Sequence, residues 1–159
     1  MSAQLSLGSQ GAFIIKILGV DYGDARTGLA CCDEMEILAS PIKVVSERDM
    51  DKVAEETVKA AVENRCKLIV IGLPKNMDGS CGFRSDICRE FAEKVEALTD
   101  IPVTMWDERS TTVTAHNYLN DTNTRGKKRK AVVDAVAATI ILDSYLAYRK
   151  NMSARNASL

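Results

Sequence analysis

Residues 14–21, an Ile-Ile-Lys-Ile-Leu-Gly-Val-Asp run, constrain the fold more than any other stretch of the chain. Apart from Lys16 both faces of the run are apolar, it is shorter than a helix needs, and Ile and Val are prominent in it. It therefore predicts a strand buried on both sides in the middle of a sheet. The strand stops at Asp21, and the chain turns at once through Tyr22, Gly23 and Asp24. A carboxylate at the end of a central strand needs a partner or a metal ion, because desolvating it alone is costly. Taken by itself Asp21 has a simpler role as a cap for the turn. The other acids of the chain bear on the choice.

The 159 residues suffice for one domain with a full hydrophobic core. A formal charge of -1 conceals an acidic stretch at 49–56 and a basic one at 125–130, so net charge excludes no nucleic-acid partner. No apolar stretch approaches a membrane span, and the N-terminus lacks the basic-then-apolar layout of a signal peptide. A cytoplasmic protein with no membrane partner is expected. Cys31, Cys32, Cys66, Cys81 and Cys88 form no Cys-x-x-Cys pair and have only His116 beside them as a ligand type. They predict reduced thiols, several packed as small apolar groups, rather than a zinc site. Residues 1–12 are expected to form a flexible N-terminal extension and 150–159 a flexible tail, leaving 13–149 as the domain.

Beyond the turn, residues 27–32 suit a hairpin partner for the first strand, and 36–45 a third strand in which Pro41 marks an edge or an irregularity. From Asp49 the period changes. Met50, Val53, Ala54, Thr57, Val58, Ala61 and Val62 fall at helical spacing, which predicts an amphipathic helix. The apolar run 67–73 follows, and a helix between two strands implies a crossover and parallel pairing. A loop at 74–82 carries Gly79 and Gly82, and a second helix is expected at 84–98 with Ile87, Cys88, Phe91, Val95 and Leu98 inward. A strand at 102–106 leads into Asp107, Glu108 and Arg109, and Ser110 or Thr111 offers an N-cap for a short helix ending near Leu119. Residues 121–128 read as a flexible loop, and 130–148 as a last helix burying Val133, Val136, Ala137, Ile140, Ile141 and Ser144. The fold class is α/β: a five-stranded mixed sheet, elements in the order βββαβαβαα.

Strands joined by helical crossovers finish along one sheet edge, the edge where open α/β sheets bind ligands. That edge gathers Asp21, the loop 74–82 and Asp107-Glu108, and Asp134 joins them if the last helix begins there. Ala135 and Ala138 are small enough to let that helix come close. Carboxylates crowded on one edge repel unless a cation neutralises them, and an oxygen-only set favours magnesium or manganese over zinc. Two such ions roughly 3.5–4 Å apart activate a water and stabilise the leaving oxygen of a phosphodiester.

Four motifs in register resemble the YqgF (RuvX) family. They are Ile17-Leu18-Gly19-Val20-Asp21-Tyr22-Gly23 with Arg26-Thr27-Gly28, Val70-Ile71-Gly72-Leu73-Pro74 with Asn76-Met77-Asp78-Gly79, Asp107-Glu108-Arg109-Ser110-Thr111-Thr112, and Asp134-Ala135-Val136-Ala137-Ala138. The resemblance implies an RNase H-like fold with helices on both faces of the sheet. It implies a nuclease maturing the 5′ end of precursor 16S ribosomal RNA, in a family earlier described as Holliday-junction resolvase-like. By the same resemblance the catalytic, metal-binding acids map onto Asp21, Glu108 and Asp134, with Mg2+ or Mn2+, two ions, as cofactor. Asp107 is the substitute for Glu108, since neighbours on an extended segment point opposite ways. Ser110 stands where the family usually has Leu, and Trp106 precedes the Asp-Glu-Arg where the family has no Trp; neither departure touches an acid.

Expected substrate contacts are Arg26, Arg109 and Thr111, the loop residues Lys75, Asn76, Gly79 and Arg84 before a helix N-terminus, and the run Lys127, Lys128, Arg129 and Lys130. Each has a plainer reading: the two arginines as salt-bridge partners of nearby acids, the glycine loop as a turn, the basic run as a solvated face. His116 reads as exposed and Trp106 as core. Expected partners are RNA, with branched DNA as the alternative, and a homodimer is allowed. A binding protein that holds RNA without cutting it is the main competitor. An actin-like ATPase or sugar kinase would need two such halves where this chain supplies one.

Overall fold

The structure, a computed structural model, describes residues 15–36, 38–74, 82–107 and 126–157, with backbone alone at 126–135 and 156–157. In chain order the elements are β1 (Ile17–Asp21), β2 (Arg26–Cys32), β3 (Ala39–Ser46), α1 (Met50–Glu63), β4 (Leu68–Leu73), α2 (Phe83–Leu98), β5 (Val103–Asp107) and α3 (Gly126–Ala157). The strands make one sheet in the order β3-β2-β1-β4-β5. β1 lies in its middle with residues 17–20 fully buried, as its two apolar faces predict. Short connections let β1, β2 and β3 pair antiparallel, while the helical crossovers make β1, β4 and β5 parallel. The predicted mixed sheet is therefore the observed one. Pro41 sits on outer strand β3 where the β2–β3 register shifts between Leu29 and Ala30, the tolerable place for a residue that cannot donate a ladder bond.

α1 begins where Asp49 caps it, its carboxylate accepting the Asp51 N–H at 2.9 Å, a bond that contributes about 1 kcal/mol. It ends in a turn that holds Arg65 at φ 58° and returns the Cys66 N–H to the Ala61 carbonyl at 2.8 Å. Val53, Ala54, Thr57, Ala60 and Ala61 face the core. Val62, expected inside, is 60% exposed, because nine residues at 3.6 per turn carry it about 180° around from Val53. In α2, Ser85, Cys88, Phe91, Ala92 and Val95 are buried, whereas Leu98, the last helical residue, is exposed. These two helices and Leu18, Val20, Ile69 and Ile71 form the core on one face of the sheet.

Among the described residues α3 covers the other face, where Ala138, Ile141, Leu142 and Leu146 pack on Ile17, Ala30 and Val70. It is longer at both ends than the sequence reading allows. Residues 126–128, expected in a loop, and 151–157, expected in the tail, are helical. No proline follows Pro102, and Lys, Arg and Ala are good helix formers, so a run of charge without apolar periodicity did not mean a break. The inner stripe also differs: Leu142 and Leu146 are buried, while Ala137 and Ser144 are only partly so. Trp106, expected in the core, is partly buried against this helix, its indole N–H donating to the Ser144 hydroxyl at 3.0 Å and its ring touching Tyr145 and Tyr148.

The direction of α3 is set near its C-terminal end. Arg149 donates to both carboxylate oxygens of Glu36, at 2.8 and 3.0 Å, and Glu36 also accepts the Ile15 N–H at 2.8 Å. That fork fastens the late part of α3 to the entry of β1. Its earlier turns then run toward the end of β1, and Ala138 lies over Gly19.

Candidate active site

Asp21 is the last residue of β1, partly buried, and opposite Gly28 of β2. Ile17 belongs to the α3-side core and Gly19 faces Leu142, whereas Leu18 and Val20 belong to the α1–α2 side. Alternation along the strand therefore turns Asp21 toward α3. The turn that follows is tightly built. A side chain on Gly23 would lie 2.3 Å from the Arg26 carbonyl oxygen, and the Gly23 N–H donates to the Thr27 hydroxyl at 3.3 Å. Tyr22 is buried and stacked on Phe91, ring centroids 4.4 Å apart. Burial, with Asp24 nearby, pushes its phenol up from the ordinary value. Arg84, in the first turn of α2, reaches Asp24 at 3.4 Å. Both groups are well exposed, so this pair contributes at most about 1 kcal/mol. The Ser85 hydroxyl donates to the Pro74 carbonyl and holds the exit of β4 against α2.

Gly19 is the residue that lets α3 approach. A Cβ there would lie 2.8 Å from the Leu142 Cβ and 3.0 Å from the Ala138 carbonyl oxygen. Gly19→Ala should cost about 1–3 kcal/mol by overpacking, lowering the melting temperature by about 2–12 °C. A thermal melt checks this, and an unchanged midpoint would mean that the helix moves off the sheet at no cost.

Asp107 ends β5, two strands from β1. Gly72 pairs with Trp106 and Leu73 with Asp107. Trp106 faces α3, while Met105 and Leu73 belong to the opposite core. Alternation thus sends Asp107 to the α1–α2 face, away from the face of Asp21. Asp134 lies on α3 one turn before Ala138, hence toward the Asp21 end of the sheet. The run Lys127, Lys128, Arg129 and Lys130 occupies the first turns of α3 rather than a loop. Arg26 opens β2, partly buried, two residues before Gly28. Glu108, Arg109, Thr111, Lys75, Asn76, Gly79 and His116 lie outside the described residues, as do the expected glycine loop and short helix. Among the described residues no group of three or more His, Cys, Asp or Glu is placed to hold a metal ion; of the three expected ligands only the Asp21 side chain belongs to that set. Asp21 itself suits a hard cation, being a carboxylate at a strand end beside a glycine. The sequence reading overlooked Gly19, although a glycine inside so apolar a strand is a signal of close approach.

Residues 15–148 match the family model described as "RuvX: Holliday junction resolvase". The chain belongs to the RuvX family. A protein of Protochlamydia amoebophila (strain UWE25) named "Putative pre-16S rRNA nuclease" is 44% identical over 138 residues, covering 82% of this chain and 92% of that one. One of the same name from Halothermothrix orenii (strain H 168) is 39% identical over 142 residues, 87% and 99% of the two chains. Among solved structures, T. thermophilus RuvC in complex with Holliday junction substrate superimposes with a TM-score of 0.58 at 11% identity, over 86% of this chain and 96% of that one. That likeness bears on fold alone, and the fold is the expected RNase H-like one. RuvX membership places the chain among nucleases, hydrolases of phosphodiester bonds, a class that generally works with divalent metal ions. No helix among the described residues is long and apolar enough to cross a membrane.

Proposed function

We propose that this RuvX protein cleaves precursor 16S ribosomal RNA near its 5′ end in the cytoplasm, with Asp21, Glu108 and Asp134 as the catalytic acids. The observation that carries the reading is Asp21 at the end of the central strand, turned toward the helix that bears Asp134. Trp106 facing α3 supports Glu108 over Asp107 as the third acid, by alternation. These three would hold Mg2+ or Mn2+, two ions, which supply a activated water and charge for the leaving oxygen. The chain's own residues do the rest. The Tyr22–Phe91 stack and the Gly23 turn keep Asp21 at its place on the edge, and Gly19 keeps α3 near enough for Asp134 to share it.

Lys127, Lys128, Arg129 and Lys130 stand at the positive end of the α3 dipole, where cations weaken a helix. A phosphate backbone would turn that cost into binding. Arg26, Arg84, Arg109, Thr111, Lys75, Asn76 and Gly79 would contact the same strand around the acids. Branched DNA is the second substrate, favoured by the family's description.

The test has two arms. Melting in millimolar Mn2+ against EDTA should raise the midpoint by about 5–10 °C, since an ion at 100-fold its dissociation constant adds about 2.7 kcal/mol. Incubation with a precursor 16S fragment and with a four-way DNA junction, with and without Mn2+, should give metal-dependent cutting of the RNA. Superimposable melts and no cutting of either substrate would overturn the reading.

A further inference from the structure

At the end of the sheet far from Asp21 two sulfur atoms meet. Cys31 on β2 and Cys66 between α1 and β4 have their Sγ atoms 3.6 Å apart, although 35 residues separate them in the chain. The architecture makes this contact. Cys31 pairs with Leu18 of β1, and Cys66 is delivered by the turn that ends α1, held by its own N–H on the Ala61 carbonyl and by the Lys67 N–H on the Lys16 carbonyl, both at 2.8 Å. The two side chains thus reach each other across the central strand.

Their surroundings differ in a useful way. Cys66 is buried, while Cys31 is partly exposed. The hydrogen bond shared with Cys66 outweighs burial and, with help from Lys16, brings the Cys31 thiol down to about 7. That shared bond and burial push Cys66 up. Cys32 faces elsewhere: its Sγ takes the Ile17 N–H at 3.2 Å and lies 3.6 Å from the Ile15 carbonyl, and burial raises it to about 11. One accessible, readily ionised sulfur with a second thiol in contact is the arrangement of an attacking and a resolving cysteine.

We propose that Cys31 and Cys66 form a reversible intramolecular disulfide when the protein meets a peroxide. The Cys31 thiolate attacks one peroxide oxygen, the O–O bond breaks, and the leaving hydroxide takes a proton to become water. Cys31 is then a sulfenic acid. Cys66, losing its proton, attacks the Cys31 sulfur and displaces hydroxide, which leaves as the second water. In sum two thiols and one peroxide give one disulfide and two waters: the sulfurs lose two electrons and the peroxide gains them. The sulfurs must close from 3.6 Å to about 2.05 Å. The bridge fastens β2 to the start of β4 and removes unfolded-state freedom, so the melting temperature should rise by about 5–10 °C.

The test needs no nucleic acid, so its outcome is independent of the nuclease reading. The folded full chain is treated with hydrogen peroxide, its remaining thiols are blocked with iodoacetamide, and a non-reducing tryptic digest is weighed by mass spectrometry. The expected product is peptide 27–43 carrying the dipeptide Cys66-Lys67, reversed by dithiothreitol and accompanied by the higher melting temperature. Cys31 and Cys32 share that peptide, so Cys32→Ser should keep the bridge and Cys31→Ser should lose it. Cys66→Ser should stop at oxidised Cys31; should that variant not fold, Cys31→Ser at the more open position decides. Conversion of Cys31 to sulfinic acid with Cys66 free, a bridge made by Cys32, or cross-linking only in urea would each overturn the proposal.

Discussion

Asp21→Asn should slow single-turnover cleavage of a labelled precursor fragment by about two powers of ten or more, or about 2.7 kcal/mol in barrier height. The substitution keeps the side chain's shape at the end of β1 and removes the charge that a shared metal site requires. Binding should survive if the basic surface rather than the acids holds the phosphates as proposed, and a gel-shift titration of the same fragment reads it. In EDTA the variant should be at least as stable as the parent, since one of several like charges is gone. Glu108→Gln and Asp134→Asn should behave in the same way. Asp107→Asn should be milder, its side chain lying on the opposite face of β5 from that of Asp21 on β1. Equal cleavage by parent and Asp21→Asn would assign the activity to another site or to a contaminant, and the RNA-binding reading would then lead.

Phe91→Ala should be the most damaging single truncation of the core. Phe91 is fully buried, is the largest such side chain among the described residues, and stacks on Tyr22 directly after Asp21. Removing a buried aromatic ring costs about 3–5 kcal/mol, against a total of roughly 5–15 kcal/mol for a typical domain. The melting temperature should fall by about 6–20 °C, and a urea titration should show a lower midpoint with an unchanged slope. Phe91→Leu should recover most of the loss. If Phe91→Ala melts with the parent, Tyr22 and its neighbours have refilled the space, and the stack does not anchor the turn that carries Asp21.

Much of the fold was legible because its signals are local. The two-sided apolar run before Asp21 predicts a central strand, and β1 is the middle strand of five. The short links at 22–25 and 33–38 predict the meander, and the helical periods at α1 and α2 predict the parallel crossovers. Errors came where local pattern was weak. Val62 looked apolar enough to face inward but stands half a turn from the stripe set by Val53. The basic and polar ends of α3 looked like loop and tail, yet neither holds a proline, and Gly126 stands only at the first helical position.

By itself, then, the sequence determined the central place of β1, the mixed pairing, the family, and the presence of acids at strand ends, since each follows from residue type and spacing along the chain. Only the tertiary structure decided what meets across the sheet. Which face Asp21 and Asp107 present depends on the cores that Leu18, Gly19 and Trp106 join. The direction of α3 depends on Arg149 finding Glu36, 113 residues away. Its closeness depends on Gly19 lying under Ala138 and Leu142, and the Cys31–Cys66 contact on where the turn after α1 sets Cys66 down. Such pairs are brought together by register, helix length and packing depth acting jointly, and none of the three is written at either residue alone.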